Sequence, residues 1–159
     1  MKMTDDNKEF IFNSITRWLR DSNFIISEEK VTVVTSEFYA KAFLPSDQEH
    51  IIEIVSSAGT ETRFILRIKV LVSEQQLEMY ESLEPKEKQT LDDKMNSVIF
   101  SQRQSFVVKD KFALLEKILS IDPKSIDAKH EVLQNVSNLF ESARRLEINF
   151  NEFYSNQRR

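Results

Sequence analysis

The spacing of the apolar residues changes after residue 23, and this change constrains the fold more than any other feature of the sequence. Before it, apolar residues recur at the three-and-four spacing of one helix face: Phe10, Ile11, Ile15, Trp18 and Leu19. Thr4 or Asp5 is suited to cap this helix, and Ser22-Asn23 ends it. From Phe24 onward the period is two, which is typical of strands. The sequence therefore predicts an α+β chain that begins with a helix.

Three strands are predicted after this helix, and the short connections between them favour an antiparallel meander. They are an extended stretch from Phe24 through Val31–Thr35 to Leu44, a second strand over His50–Ser56 and a third over Phe64–Val72. Turns are expected at Pro45–Asp47 and at Ser57–Thr60, which contains the lone glycine, Gly59. On the third strand Arg67 and Lys69 mark one face as solvated, and the apolar residues between them mark the other as buried.

Two helices and a further strand are predicted next. Ser73 and Gln76 form a capping box that opens a helix with Leu77, Tyr80 and Leu83 on it. Pro85 is a favourable first residue for the following helix. Its apolar positions are Leu91, Met95, Val98, Ile99 and Phe100. A strand is expected over Gln104–Lys109.

The last third of the chain contains one ambiguous segment and one long helix. Local propensity over Phe112–Ile121 slightly favours a helix. Ser125 is expected to cap the long helix. Its apolar side comprises Ile126, Leu133, Val136, Phe140, Ala143, Leu146 and Phe150. An amphipathic helix of this kind is expected to lie across the sheet. The alternative is a seam with a partner, because the apolar steps of the helix are close to those of a coiled coil. Residues 1–159 are predicted to be a single domain, with 155–159 as a frayed tail.

Composition excludes several classes of functional site. The chain of 159 residues has one glycine and no cysteine, whereas average usage of about 7% would give about 11 glycines. Glycine-rich phosphate loops, nucleophile elbows, disulfides and cysteine-ligated metals are thereby excluded. With a net charge of -4, no nucleic acid is expected as a partner. A polar N-terminus and the lack of a long apolar run predict a cytoplasmic protein that does not bind membranes.

No catalytic, cofactor-binding or metal-binding residues are predicted. His50 and His130 each have an acidic neighbour, Glu49 and Glu131, that points to another face of the strand or helix, so neither pair can chelate a metal ion. Both histidines are therefore expected at the surface and not in a metal site. The carboxylate pairs Glu28-Glu29 and Asp92-Asp93 lie in polar stretches typical of solvated surface. Arg144-Arg145 lies on a helix face interrupted by acidic residues, so a solvated face is favoured over a basic stripe.

Several segments resemble a mostly archaeal family known only as a domain of unknown function. That family is similar in fold to class I type III secretion chaperones and YbjN-like domains. The matching segments are Trp18-Leu19, Asn23–Ile26, Phe43–Pro45, His50–Ile54, Ser73–Phe100 and Ile121–Ser125. Such families have a glycine in the turns after the first helix and before the last, where this sequence has Asn23 and Pro123.

The resemblance implies an antiparallel sheet of about five strands in the order α-β-β-β-α-β-β-α. It also implies that Phe112–Ile121 is a strand paired with Gln104–Lys109, against the local preference for helix. Secretion chaperones work as homodimers and hold an unfolded client segment on exposed apolar patches. A homodimer and a protein or peptide client are therefore expected partners.

The function that we predict from sequence is a non-enzymatic protein-interaction module, chaperone-like in its binding of a partner. The partner-binding residues expected for it are Leu77, Tyr80, Leu83, Phe140, Phe150 and Phe153. The alternative is an enzyme or small-ligand binder whose polar site assembles only in three dimensions. A pocket lined by titratable groups with shifted pKa values would indicate that alternative.

Overall fold

The computed structural model of the protein describes residues 3–32, 37–56, 63–97, 105–109, 112–122 and 124–157. These residues form four helices and six strands in the order α1 (Met3–Asp21), β1 (Ile25–Thr32), β2 (Glu37–Leu44), β3 (Asp47–Ser56), β4 (Arg63–Leu71), α2 (Glu74–Ser82), α3 (Pro85–Ser97), β5 (Ser105–Lys109), β6 (Phe112–Ser120) and α4 (Ala128–Gln157). The predicted turn at Gly59, the apolar residues Val98 to Phe100 and Pro123 lie outside the described residues.

The strands form one antiparallel sheet in the order β1-β2-β3-β4-β6-β5. This confirms the predicted α+β class with its antiparallel sheet and long C-terminal helix. The described strands number six because the extended stretch predicted up to Leu44 is a hairpin, in which β1 pairs with β2. Phe112–Ser120 is a strand that pairs with both β4 and β5, so the resemblance was right and the local helical preference was wrong.

The helices pack on one face of the sheet. Helix α1 contacts β1, β2 and α4, while α4 lies across β3, β4 and β6, and α3 contacts α4 and β5. The core between these layers contains the fully buried rings of Phe12, Phe38 and Phe64. Phe12 lies 5.4 Å from Phe38 and 6.2 Å from Phe64 between ring centroids. Burial of such rings contributes much of the stability of a core this size.

The apolar face of α1 differs from the predicted one by one residue. Phe12 is buried with Ile11, Ile15 and Leu19, whereas Phe10 is 57% exposed. The helix starts at Met3, before either predicted cap.

Asn23 ends α1 in a left-handed conformation with φ of 72°. The backbone amide of Phe24 donates to the carbonyl of Leu19 at 2.9 Å, and the backbone amide of Asn23 donates to the carbonyl of Arg20 at 3.1 Å. These two hydrogen bonds form the pattern of a Schellman motif. Asn tolerates this backbone region better than other residues with a β-carbon. It therefore performs the role that a glycine has in the families the sequence resembles.

The capping box of α2 is confirmed. The backbone amide of Gln76 donates to the Ser73 hydroxyl, and the backbone amide of Ser73 donates to the Gln76 side chain. Pro85 is the first residue of α3, as predicted.

The start of α4 differs from the prediction. Ser125 does not cap the helix, because the amide of Ala128 donates to its carbonyl and closes a turn. The carbonyl of Asp127 accepts the first helical hydrogen bond, from Glu131 at 2.9 Å. Ile126 therefore lies in the turn, 98% exposed, and does not belong to the apolar stripe. At its other end α4 continues to Gln157, so residues 155–157 of the predicted tail are helical. No helix among the described residues has a stretch apolar enough to cross a membrane.

Candidate interaction surface

One face of the sheet is not covered by any of the described helices. On β4 the side chains of Phe64, Leu66, Ile68 and Val70 are buried beneath the helices, while the alternate side chains point to the other face. The same alternation holds on β2, β3 and β6. We call the second face the open face. It comprises the odd-numbered positions 39–41 of β2, 49–55 of β3 and 63–71 of β4, and the even-numbered positions 114–120 of β6.

A row of charged side chains crosses the open face. The strand registers pair Lys41 with Glu53, Glu53 with Arg67 and Arg67 with Glu116. The charges therefore alternate in sign from β2 to β6. Arg67 Nε lies 2.8 Å from Glu116 Oε1, and Lys69 Nζ lies 3.6 Å from Glu53 Oε1. The side chains of Arg67, Glu116 and Lys69 are partly solvated, whereas that of Glu53 is only 13% exposed. Because each pair has at least one solvated partner, each contributes little to stability by itself.

An apolar row lies next to the charged row. Here the registers pair Tyr39 with Val55, Val55 with Ile65 and Ile65 with Ile118. Tyr39, Val55 and Ile65 are half-buried, and Ile118 is 54% exposed. Beyond the charged row, Leu71 is 81% exposed and helps to line a depression of about 210 Å³. Apolar side chains that form a continuous band on a protein surface indicate a contact surface for another molecule.

A second polar cluster lies on the helix side, where β3 begins beneath α4. His50 Nδ1 lies 2.9 Å from a carboxylate oxygen of Asp47, and His50 Nε2 lies 2.9 Å from Glu147 Oε2. Arg144 reaches the same Asp47 carboxylate at 3.3 Å and lies 3.8 Å from Glu141. His50 is only 8% exposed, so the prediction of a surface histidine is wrong.

The pKa of Asp47 reflects this environment. Partial burial acts to raise it, but the hydrogen bond and charge of His50 and the hydrogen bond from Arg144 outweigh burial and hold the pKa below its ordinary value. Both ring nitrogens of His50 lie within hydrogen-bond distance of a carboxylate oxygen. Neither nitrogen is therefore free to take a proton from a substrate. The arrangement therefore fits a structural ion cluster better than a general base.

Across the part of the chain that the structure describes, no group of three or more His, Asp or Glu side chains is placed to hold a metal ion. His130, the other histidine, is exposed on the first turn of α4.

The six predicted partner-binding residues lie on the helix side of the sheet and not on the open face. Phe140 and Phe150 are each 3% exposed and belong to the core, so they offer no surface to a partner. The other four are half-buried against the core: Leu77, Tyr80, Leu83 and Phe153.

Tyr80 is held by polar and aromatic neighbours. Its hydroxyl donates to Asp92 Oδ1 at 3.0 Å, its ring lies 6.5 Å from that of Phe150, and Lys88 Nζ lies 5.4 Å from its ring centroid. Burial and the adjacent carboxylate of Asp92 raise the pKa of Tyr80 to about 12. These contacts join α2 to α3 and α4.

The open face is not recognisable as a contact surface from the sequence alone. The alternation of Arg67 and Lys69 with apolar residues predicts only an ordinary solvated face. The apolar side chains of Ile65 and Ile118 lie beside each other on this face. Recognising this pair from the sequence would require the register between β4 and β6. The ion cluster gave no local signal, because His50 and Glu147 are 97 positions apart.

A solved structure of an uncharacterized protein from Methanothermobacter thermautotrophicus is similar in fold, with a TM-score of 0.69 at 16% identity, over 91% of this chain and 99% of that chain. A search of curated proteins found no match. The family model described as "Uncharacterized conserved protein (DUF2299)" matches residues 11–148, which include most of α1, all six strands and about two thirds of α4. The chain therefore belongs to this family of uncharacterized conserved proteins.

Proposed function

We propose that the protein is a non-enzymatic protein-interaction module that binds its partner through the open face of the sheet. The observation that carries this proposal is the apolar row Tyr39, Val55, Ile65 and Ile118, which crosses four strands with no described helix over it. A one-sided sheet normally carries polar residues on its solvated face. Here that face carries a continuous apolar band beside a charged row, as at the core and rim of protein interfaces.

The resemblance to secretion chaperones supports the same class of function. Those proteins associate with other polypeptides through exposed apolar surface. The ion cluster around His50 supports the alternative of an enzyme less well, because both ring nitrogens are engaged by carboxylates. Binding by the half-buried residues Leu77, Leu83 and Phe153 remains a second candidate, since these side chains are partly accessible on the helix side.

Two exposed isoleucines allow a matched test. Ile118 on the open face is 54% exposed and Ile148 on α4 is 57% exposed. The lysine substitutions Ile118→Lys and Ile148→Lys therefore place the same charge at equally accessible sites on opposite sides of the molecule. We expect Ile118→Lys to lose the association that the wild-type protein shows, either with itself or with a protein from lysate. We expect Ile148→Lys to retain that association. Light scattering measures self-association, and quantitative affinity capture measures binding of a protein from lysate. If Ile118→Lys binds as wild type does, or Ile148→Lys alone loses binding, the open face is not the binding surface.

A further inference from the structure

The signs of the charges in the charged row form a self-complementary pattern. Read across β2, β3, β4 and β6, the row is Lys41, Glu53, Arg67 and Glu116, with signs plus, minus, plus and minus. The two central strands of the sheet are β3 and β4. The midpoint of the row therefore coincides with the middle of the sheet. The two residues at equal distance from this midpoint have opposite charges, both for Glu53 with Arg67 and for Lys41 with Glu116.

We infer that the partner of the open face is a second copy of this chain, related by a two-fold axis that runs parallel to the strands between β3 and β4. This inference rests on the proposed function of the open face. The axis places β3 of one copy over β4 of the other, and β2 over β6. Glu53 then faces Arg67 of the other copy, and Lys41 faces Glu116. All four positions of the row meet an opposite charge, which is the self-complementarity that a two-fold interface requires.

Other two-fold arrangements of the same faces lack this complementarity. An axis along the charged row would place each strand over itself, with Arg67 over Arg67 and Glu53 over Glu53. An axis centred on β4 would also place Arg67 over itself. Like charges in direct contact across an interface strongly weaken association. The axis between β3 and β4 is therefore the arrangement that the charges favour.

The same axis brings the apolar rows together. Val55 of one copy lies over Ile65 of the other, and Tyr39 lies over Ile118. The strands of the two sheets run in nearly the same direction, as in aligned sheet packing, where the angle is about 30°. Apolar side chains from both sheets can then interdigitate across the gap of about 10 Å between packed sheets.

The area of the open face is sufficient for this contact. With strands about 4.8 Å apart and a rise of about 3.3 Å per residue, the four strands β2, β3, β4 and β6 present about 500 Å² per copy. Two copies would bury about 1,000 Å² in total, which is below the area of stable interfaces and typical of weak, transient ones. We therefore expect a dimer that dissociates on dilution.

The test uses two charge reversals, each of which should prevent dimerisation by itself, whereas the two variants mixed together should form a dimer. Glu53→Lys places a lysine over Arg67 of the other copy, and Arg67→Glu places a carboxylate over Glu53. Each unfavourable contact occurs twice by symmetry, so each variant alone should raise the dimer dissociation constant at least about 100-fold. In an equimolar mixture, the lysine that Glu53→Lys introduces on one chain faces the glutamate that Arg67→Glu introduces on the other. The unchanged Arg67 of the first chain faces the unchanged Glu53 of the second. The mixture should form a one-to-one heterodimer.

Sedimentation equilibrium over a concentration series gives the masses, and circular dichroism checks that each variant is folded. Lys129→Glu and Glu152→Lys reverse exposed charges on α4 and serve as controls that should leave the dimer unchanged.

A monomeric wild type would overturn the inference. The proposed function would then still stand if Ile118→Lys, and not Ile148→Lys, lost a different protein partner. If wild type is a dimer but the mixture stays monomeric, the inferred axis is wrong. If a variant does not fold, Glu53→Gln and Arg67→Gln replace the reversals and should weaken the dimer by a smaller factor; an unchanged dimer would overturn the inference.

Discussion

The Nε2 atom of His50 lies 2.9 Å from Oε2 of Glu147, a residue 97 positions later in the chain. The other ring nitrogen lies against Asp47, which also accepts a hydrogen bond from Arg144. The imidazole thus joins the first residues of β3 to the middle of α4. Because His50 is only 8% exposed, this long-range contact is less screened by solvent than the exposed pairs elsewhere on α4.

Replacing His50 should destabilise the protein. His50→Ala leaves Asp47 and Glu147 without the group that lies between them, and loss of a buried hydrogen-bonding partner costs about 1–3 kcal/mol. His130→Ala is the matched control, since His130 is exposed and should change the free energy of unfolding by less than about 0.5 kcal/mol. Urea denaturation measures both variants. Equal losses for the two would contradict a structural role for the cluster.

The lowered pKa of Asp47 predicts a specific loss of stability in acid. The folded pKa lies below the ordinary value of 3.8. The contribution of Asp47 is therefore fully present above that value and is lost as pH falls through the folded pKa. Asp47→Asn should be less stable than wild type at neutral pH, and the difference between them should shrink below pH 3.8. Unfolding free energies measured from neutral pH into acid check this. A difference that stays constant with pH would exclude ionisation of Asp47 as its source.

Much of the fold follows from sequence because its signals are local. The capping box of Ser73 and Gln76, the first-turn proline Pro85 and the period-two alternation of β4 each act within a few residues. The segment Phe112–Ser120 shows the limit of such signals. Its residues prefer a helix, but pairing with β4 on one side and β5 on the other makes it a strand. Tertiary hydrogen bonding thus overrides a small difference in propensity.

The candidate surface could not be predicted in the same way. The sequence places Phe140 and Phe150 on the apolar side of the last helix and predicts that they bind a partner, but α4 turns both into the core. The charged row depends on which residue of β3 lies beside Arg67, and this register is set by pairing between distant segments. Sequence periodicity identifies the face of a strand on which a residue lies, but not its neighbours on adjacent strands.

Tyr80 should ionise later than an ordinary tyrosine. Its pKa of about 12 exceeds the usual value of about 10 because of burial and the carboxylate of Asp92. Asp92→Asn removes the negative charge and should lower this pKa, which absorbance of tyrosinate as a function of pH would show. Tyr80→Phe identifies the signal, because the chain has three tyrosines. A titration of Asp92→Asn identical to that of wild type would contradict the role of Asp92.

The same pKa makes stability depend on pH in alkali. The folded state favours the protonated phenol, so the contribution of Tyr80 is complete below about pH 10 and is lost as pH rises towards about 12. Wild type should lose more stability than Tyr80→Phe over this interval. Thermal unfolding measured at several alkaline pH values compares the two. Parallel losses in both proteins would place the alkaline sensitivity elsewhere.

The left-handed backbone of Asn23 gives a test of how α1 joins the sheet. Asn23 has φ of 72° and occupies the position that follows the helix, where glycine is most common. Asn23→Ala introduces a residue that tolerates this conformation poorly, and it should lower the free energy of unfolding by about 1 kcal/mol. Asn23→Gly is the matched control, since glycine adopts the same backbone without steric cost, and it should be as stable as wild type or slightly more stable. Denaturant unfolding of the three proteins gives the comparison. If Asn23→Ala were as stable as Asn23→Gly, the constraint at this turn would come from the Asn23 side chain or its neighbours and not from the backbone angle.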